Sequence, residues 1–65
     1  MVAERIAKYV SKLGIKQVAI ADAIGMSKQA MSETLLGNRT LTADEYGDIC
    51  KFLEVPYDKF FLEED

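Results

Sequence analysis

Three glycines divide most of this chain into short segments, and their spacing is the strongest constraint on its fold. Gly14, Gly25 and Gly37 each follow a run in which apolar side chains recur at helical spacing. Glycine readily adopts the left-handed backbone conformation in which many helices end. We therefore expect short helices joined by tight turns, and no segment has the pattern of a strand.

The apolar spacing predicts a compact all-α bundle that forms one domain over residues 1–65. Its five predicted helices span residues 2–13, 16–24, 28–36, 43–54 and 56–62. The predicted inward-facing residues are Val2, Ile6, Tyr9, Val10, Leu13, Val18, Ala21, Ile24, Ala30, Met31, Thr34, Leu35, Tyr46, Ile49, Cys50 and Leu53. The charged residues Glu4, Arg5, Lys8 and Lys12 fall on the other face of the first helix.

Helix starts are marked as well as helix ends. Ser27 is a good N-cap, and Thr42 and Glu45 have the spacing of a capping box. Pro56 suits the first turn of the fifth predicted helix. Gly47 inside the fourth helix indicates either close backbone packing or a tolerated weakness of about 1 kcal/mol.

The residue types limit the accessible chemistry. The chain has one Cys and no His, so we expect neither an internal disulfide nor a metal site, and no cofactor. Cys50 is read as inert core rather than as a redox sensor. The lone thiol, the charged N-terminal residues and the lack of a long apolar run predict a cytoplasmic protein that does not cross a membrane.

An enzyme is not expected from these residues. Without His, the chain offers no Ser or Cys paired with a base, and it has no phosphate-cradling glycine loop. A helical domain of this size is expected to have no pocket, and thus no small-molecule ligand.

Residues 17–36 meet the physical requirements of a helix-turn-helix unit. Two short helices join across Gly25, and Ala21 is small at the point where they would approach each other. Met26 is predicted to plug the turn, and Met31 to pack back from the third helix.

This segment resembles the helix-turn-helix of the phage Cro and C-type repressors, the xenobiotic-response-element-like group of bacterial regulators. The matching features are Gln17, Ala21, Ile24, the turn Gly25-Met26-Ser27, Met31, Leu35, the exit Gly37-Asn38-Arg39 and the helix Ile49-Cys50-Lys51-Phe52-Leu53-Glu54-Val55. The resemblance implies a five-helix, lambda-repressor-like DNA-binding domain. It also implies a transcriptional regulator, with a repressor acting as a homodimer on a palindromic operator as the expected form.

The resemblance and the polar pattern of the third helix predict the same DNA-reading residues. The predicted base contacts are Ser27, Lys28, Gln29, Ser32 and Glu33. Gln29 suits adenine, Lys28 suits guanine, and the carboxylate of Glu33 can accept from cytosine. The predicted phosphate contacts are Lys16, Gln17, Asn38 and Arg39. Tyr57, Phe60 and Phe61 either cap the core or contribute to a dimer interface.

The net charge of −3 conceals a division along the chain. Residues 1–40 carry +3, whereas residues 41–65 carry −6, so the predicted DNA-reading half is basic. Two alternatives remain open. In the first, the chain is a protein-interaction module or antirepressor that keeps the fold without reading DNA. In the second, it is a DNA-binding fragment of a longer regulator.

Overall fold

The computed structural model describes residues 2–61 and confirms the all-α prediction over that range. The described chain contains four helices and no strand: α1 (Val2–Leu13), α2 (Gln17–Ile24), α3 (Lys28–Leu35) and α4 (Ala43–Leu53). α2 packs against both α3 and α4, and α1 packs against α3. Within residues 2–61, none of the helices combines the length and apolar composition needed to cross a bilayer.

All four helices end with the same backbone arrangement. A residue with positive φ follows the last turn: Gly14 (φ 74°), Gly25 (φ 74°), Gly37 (φ 84°) and Glu54 (φ 57°). The amide of the next residue then donates to the carbonyl five residues earlier, as in Ile15 to Val10 at 2.9 Å and Asn38 to Glu33 at 2.9 Å. This is the Schellman motif, which satisfies carbonyl groups that the helix leaves free.

The residue after each left-handed position decides where the chain goes next. Ile15, Met26 and Val55 are apolar there, and each packs against the core. At these three helix ends the backbone reverses and the apolar side chain that follows packs into the interior, as is common for the Schellman motif. The exception is Asn38, which follows α3 and is exposed.

The core contains most of the predicted inward residues. The buried residues are Ile6, Val10, Ile20, Ala21, Met31, Thr34, Leu35, Tyr46, Ile49, Cys50 and Phe60. The prediction was wrong for Leu13 and Val18, which are 55% and 40% exposed. Leu13 lies at the very end of α1, where Ile15 takes the core position instead, and α2 buries the adjacent pair Ile20 and Ala21.

The predicted fifth helix does not form over the residues that the structure describes. Residues 57–61 instead make turns in which Lys59 N–H donates to the carbonyl of Pro56 at 3.0 Å and Phe61 N–H to that of Asp58 at 3.1 Å. The remaining predicted position, residue 62, lies outside the described range.

Side chains of two helices bind backbone carbonyls of these final turns. Arg5 donates to the carbonyls of Phe60 at 2.9 Å and Phe61 at 3.2 Å, and the hydroxyl of Tyr46 donates to that of Tyr57. Arg5 is half-buried as a result, so its predicted place on the solvent face of α1 was wrong.

Gly47 in α4 provides a test of local helix energetics. A Cβ built there would lie 3.7 Å from a ring carbon of Tyr57, which is ordinary van der Waals contact. Close backbone packing therefore does not require glycine. We expect Gly47→Ala to raise the free energy of unfolding by roughly 0.5–1 kcal/mol, measured by urea denaturation. A lower stability would show that the ring of Tyr57 cannot accommodate the methyl group.

Candidate nucleic-acid interface

One face of α3 carries four of the predicted base-contacting residues. Lys28 and Gln29 are exposed, and Ser32 and Glu33 are half-buried one turn later. They occupy positions i, i+1, i+4 and i+5, which share one side of a helix. The buried residues Met31, Thr34 and Leu35 form the other side of α3. The helix is thus amphipathic, with a polar stripe available for contacts from outside the domain.

Ser27 is the N-cap of α3, as predicted. Its side-chain oxygen accepts a hydrogen bond from the backbone N–H of Ala30 at 3.1 Å. A hydroxyl also carries a donor, so this side chain can cap the helix and still donate outward. Ser27 is exposed and lies directly before Lys28, at the end of α3 where the polar stripe begins.

Lys16 and Gln17 lie at the N-terminus of α2, and both are exposed. Lys16 takes the N-cap position in extended conformation (ψ 139°), but its side chain makes no capping hydrogen bond. The free N–H groups of the first turn are therefore left without a side-chain cap. Such an end attracts anions, because the exposed N–H groups and the helix dipole both favour negative charge.

The predicted phosphate contact Arg39 is half-buried and pairs with other groups of its own domain. Its Nη1 donates to Thr34 Oγ1 at 3.0 Å and to Glu45 Oε1 at 2.9 Å, and its Nη2 donates to Glu45 Oε2 at 2.7 Å. Thr34 is fully buried, and its hydroxyl donates in turn to the carbonyl of Ala30 at 2.7 Å. We call the group Thr34, Arg39 and Glu45 the Arg39 clamp. It joins the last turn of α3 to the first turn of α4.

Glu45 also completes the predicted capping box. Its Oε1 accepts from the N–H of Thr42 at 3.1 Å, and Thr42 Oγ1 accepts from the N–H of Glu45 at 3.1 Å. The hydrogen bond from Arg39, followed by that from the Thr42 backbone, lowers the pKa of Glu45 to about 2. The same carboxylate raises the pKa of Arg39. The Glu45 side chain thus caps the N-terminus of α4 and binds Arg39 in the loop that precedes this helix.

The low pKa of Glu45 makes an acid-dependent contribution to stability. A depressed carboxyl pKa contributes stability above the unfolded-state value of about 4.5, and that contribution is lost as the pH falls through about 2. We expect the free energy of unfolding of Glu45→Gln, measured by denaturant titration, to decline less steeply than the wild type between pH 4.5 and 2. Glutamine preserves the capping geometry. Parallel pH profiles of the two proteins would contradict the clamp.

A cleft of about 650 Å³ lies beside the loop between α3 and α4. The expectation that so small a domain has no pocket was therefore wrong. The cleft is lined by Val2, Ala3, residues 37–43, Tyr46, Tyr57 and Phe61. It brings the predicted phosphate contacts Asn38 and Arg39 next to two of the residues predicted for a dimer interface.

The structure separates the three aromatic residues predicted near the C-terminal end. Phe60 is 3% exposed and packs edge-on against Tyr9 at 5.5 Å between ring centroids, so it belongs to the core. Tyr57 and Phe61 are 53% and 49% exposed. Phe61 stacks on Tyr46 at 5.3 Å, and Tyr57 meets the same ring edge-on at 4.9 Å. The exposed surface of this cluster is thus formed by Tyr57 and Phe61.

The partners of Arg39 were not predicted from the sequence. Glu45 was assigned to the capping box alone, and Thr34 to the core. A usable signal was nevertheless present, because a capping carboxylate retains acceptor capacity that suits the paired donors of a guanidinium.

No family model matches this chain, and no curated protein or solved structure does so either. The functional argument therefore rests on the geometry of α2, α3 and the loop that follows them.

Proposed function

We propose that this protein is a non-catalytic, sequence-specific DNA-binding regulator of the repressor type. The observation that carries the proposal is the polar stripe of α3, from Ser27 to Glu33, opposite a buried apolar face. The second helix of a helix-turn-helix has this form, because one side packs on the domain and the polar side faces the bases. α2, the turn at Gly25 and α3 would form that unit within a lambda-repressor-like domain.

In this arrangement α3 lies in the major groove with its N-terminal half towards the bases. Gln29 would form a bidentate contact with adenine, and Lys28 would reach the acceptors of guanine. Ser27, Ser32 and Glu33 read neighbouring positions. The uncapped N-terminus of α2 meets a phosphate through free N–H groups, assisted by Lys16 and Gln17. Asn38 contacts a phosphate of the DNA backbone near the C-terminal end of α3.

The charges on this side of the domain favour modest affinity. Residues 1–40 carry +3, but one of these positive charges, on Arg39, is already paired with Glu45 at 2.7 Å. Lys16 and Lys28 remain the exposed cations of α2, α3 and their flanks. We therefore expect few phosphate contacts and a shallow dependence of affinity on salt.

A homodimer would give this small reader a longer binding site. Tyr57 and Phe61 present the exposed aromatic surface, and a symmetric pair would place two copies of α3 about one helical turn of DNA apart, roughly 34 Å. The DNA site would then be a palindrome, and occupancy of such an operator would regulate transcription.

Selection from a random duplex pool tests the function directly. We expect the protein to enrich a palindromic sequence, and its affinity for that duplex to fall linearly on a log–log plot against salt, starting from about 50 mM. Undetectable binding at that salt concentration, or binding with no salt slope, would contradict DNA recognition. Recovery of a stoichiometric protein partner without DNA enrichment would support an interaction module instead.

Gln29 tests the docking of α3. Loss of a bidentate contact with adenine is expected to relax the preference at one base position by about 1–3 kcal/mol, leaving the others intact. The measurement is repeated selection with Gln29→Ala, and competition binding quantifies the change. Lys51→Ala removes an exposed side chain from α4 and serves as the control that leaves the preference unchanged. An unaltered site after Gln29→Ala would mean that α3 does not dock as proposed.

A further inference from the structure

We propose that Arg39 supports DNA binding as a positioning residue, through the Arg39 clamp, and not as a phosphate contact. This inference rests on the proposed DNA-binding function. It assigns to Arg39 a role different from the one that its place after α3 predicts, and it adds Glu45, an acidic residue, to the groups that DNA affinity depends on.

The first argument is that four acceptors of the same domain already bind the guanidinium, whose side chain is 36% exposed. Besides the two carboxylate oxygens of Glu45 and the hydroxyl of Thr34, the carbonyl of Thr40 accepts from Nη1 at 3.4 Å. The two bonds to Glu45 form a bidentate pair, the strongest geometry for this side chain. A DNA phosphate would have to displace an anion that is covalently part of the domain and preorganised by the capping box.

The second argument is the place of the clamp in the fold. The extensive helix contacts of α3 are with α1 and α2, and those of α4 are with α2. The clamp ties the last turn of α3 directly to the first turn of α4, from Thr34 to Glu45. It therefore links α3 to α4, two helices that lack extensive contacts with each other.

The third argument is the proximity of the clamp to the polar stripe. Ser32 and Glu33 precede Thr34 in the same turn of α3, and the amide of Asn38 donates to the carbonyl of Glu33 at 2.9 Å. A shift of Thr34 would therefore move both the distal base contacts and the predicted phosphate contact at Asn38. Displacements of about 1 Å are enough to disturb hydrogen bonds, which weaken steeply when they are misaligned.

A double-mutant cycle of Arg39→Met and Glu45→Gln tests the assignment. The probe is the duplex enriched by the wild-type protein, and the dissociation constant is measured at several salt concentrations. Circular dichroism fixes a temperature at which every variant is folded. Arg39→Lys joins the set because lysine keeps the charge but cannot form the bidentate pair.

The clamp predicts that all three single variants bind about tenfold more weakly, including the one that removes a negative charge. The double variant should be no weaker than the worse single variant, because the two residues act as a unit. The salt slope should equal that of the wild type in Arg39→Met, since no phosphate contact is lost.

Two results would overturn the proposal. A phosphate contact would appear as a salt slope reduced by about 0.9 per subunit in Arg39→Met, thus about 1.8 for a dimer, with Glu45→Gln binding at least as tightly as the wild type. A role in folding alone would appear as a lower Tm with unchanged dissociation constants. Failure of the DNA-binding function itself is distinct, because the wild-type protein would then show no salt-dependent binding before any variant is compared.

Discussion

The fold depends on how each helix ends. The described helices are 8–12 residues long, too short to be stable in isolation, so each one has to reach the core through its neighbours. A left-handed residue reverses the backbone, and the apolar residue after it packs inward. Ile15, Met26 and Val55 illustrate this rule. The short connections follow from it, because the chain turns within one or two residues of the last helical turn.

The end of α3 follows the same backbone rule but uses a different anchor. Asn38 replaces the apolar residue and stays exposed, while Arg39 takes over the task of attaching the loop to the domain. An ion pair thus stands where the other helix ends have apolar packing. As a result, the exposed side chain of Asn38 lies next to the proposed reading helix. An apolar residue at this position would pack into the core instead.

The parts of this fold that local patterns predict are the ones governed by nearby residues. The helix ends at Gly14 and Gly25, the cap at Ser27 and the capping box of Thr42 were predicted because each involves groups within a few positions.

The clamp and the missing fifth helix were not predicted. The clamp joins groups five and six positions from Arg39 across an irregular loop, and the final turns are held by Arg5, 55 positions before Phe60. Helical periodicity encodes neither pairing. The candidate site was predicted as a set of residues on α3. The pairing of Arg39 with Thr34 and Glu45 became visible only in the folded structure.

The bonds from Arg5 to the carbonyls of Phe60 and Phe61 close a loop of 55 and 56 residues. Closing so long a loop costs chain entropy that only a largely formed structure can offset. We therefore expect this closure to form at a late stage of folding. In the native ensemble, α1 and the final turns should open together as one cooperative unit, while α2 and α3 can remain associated.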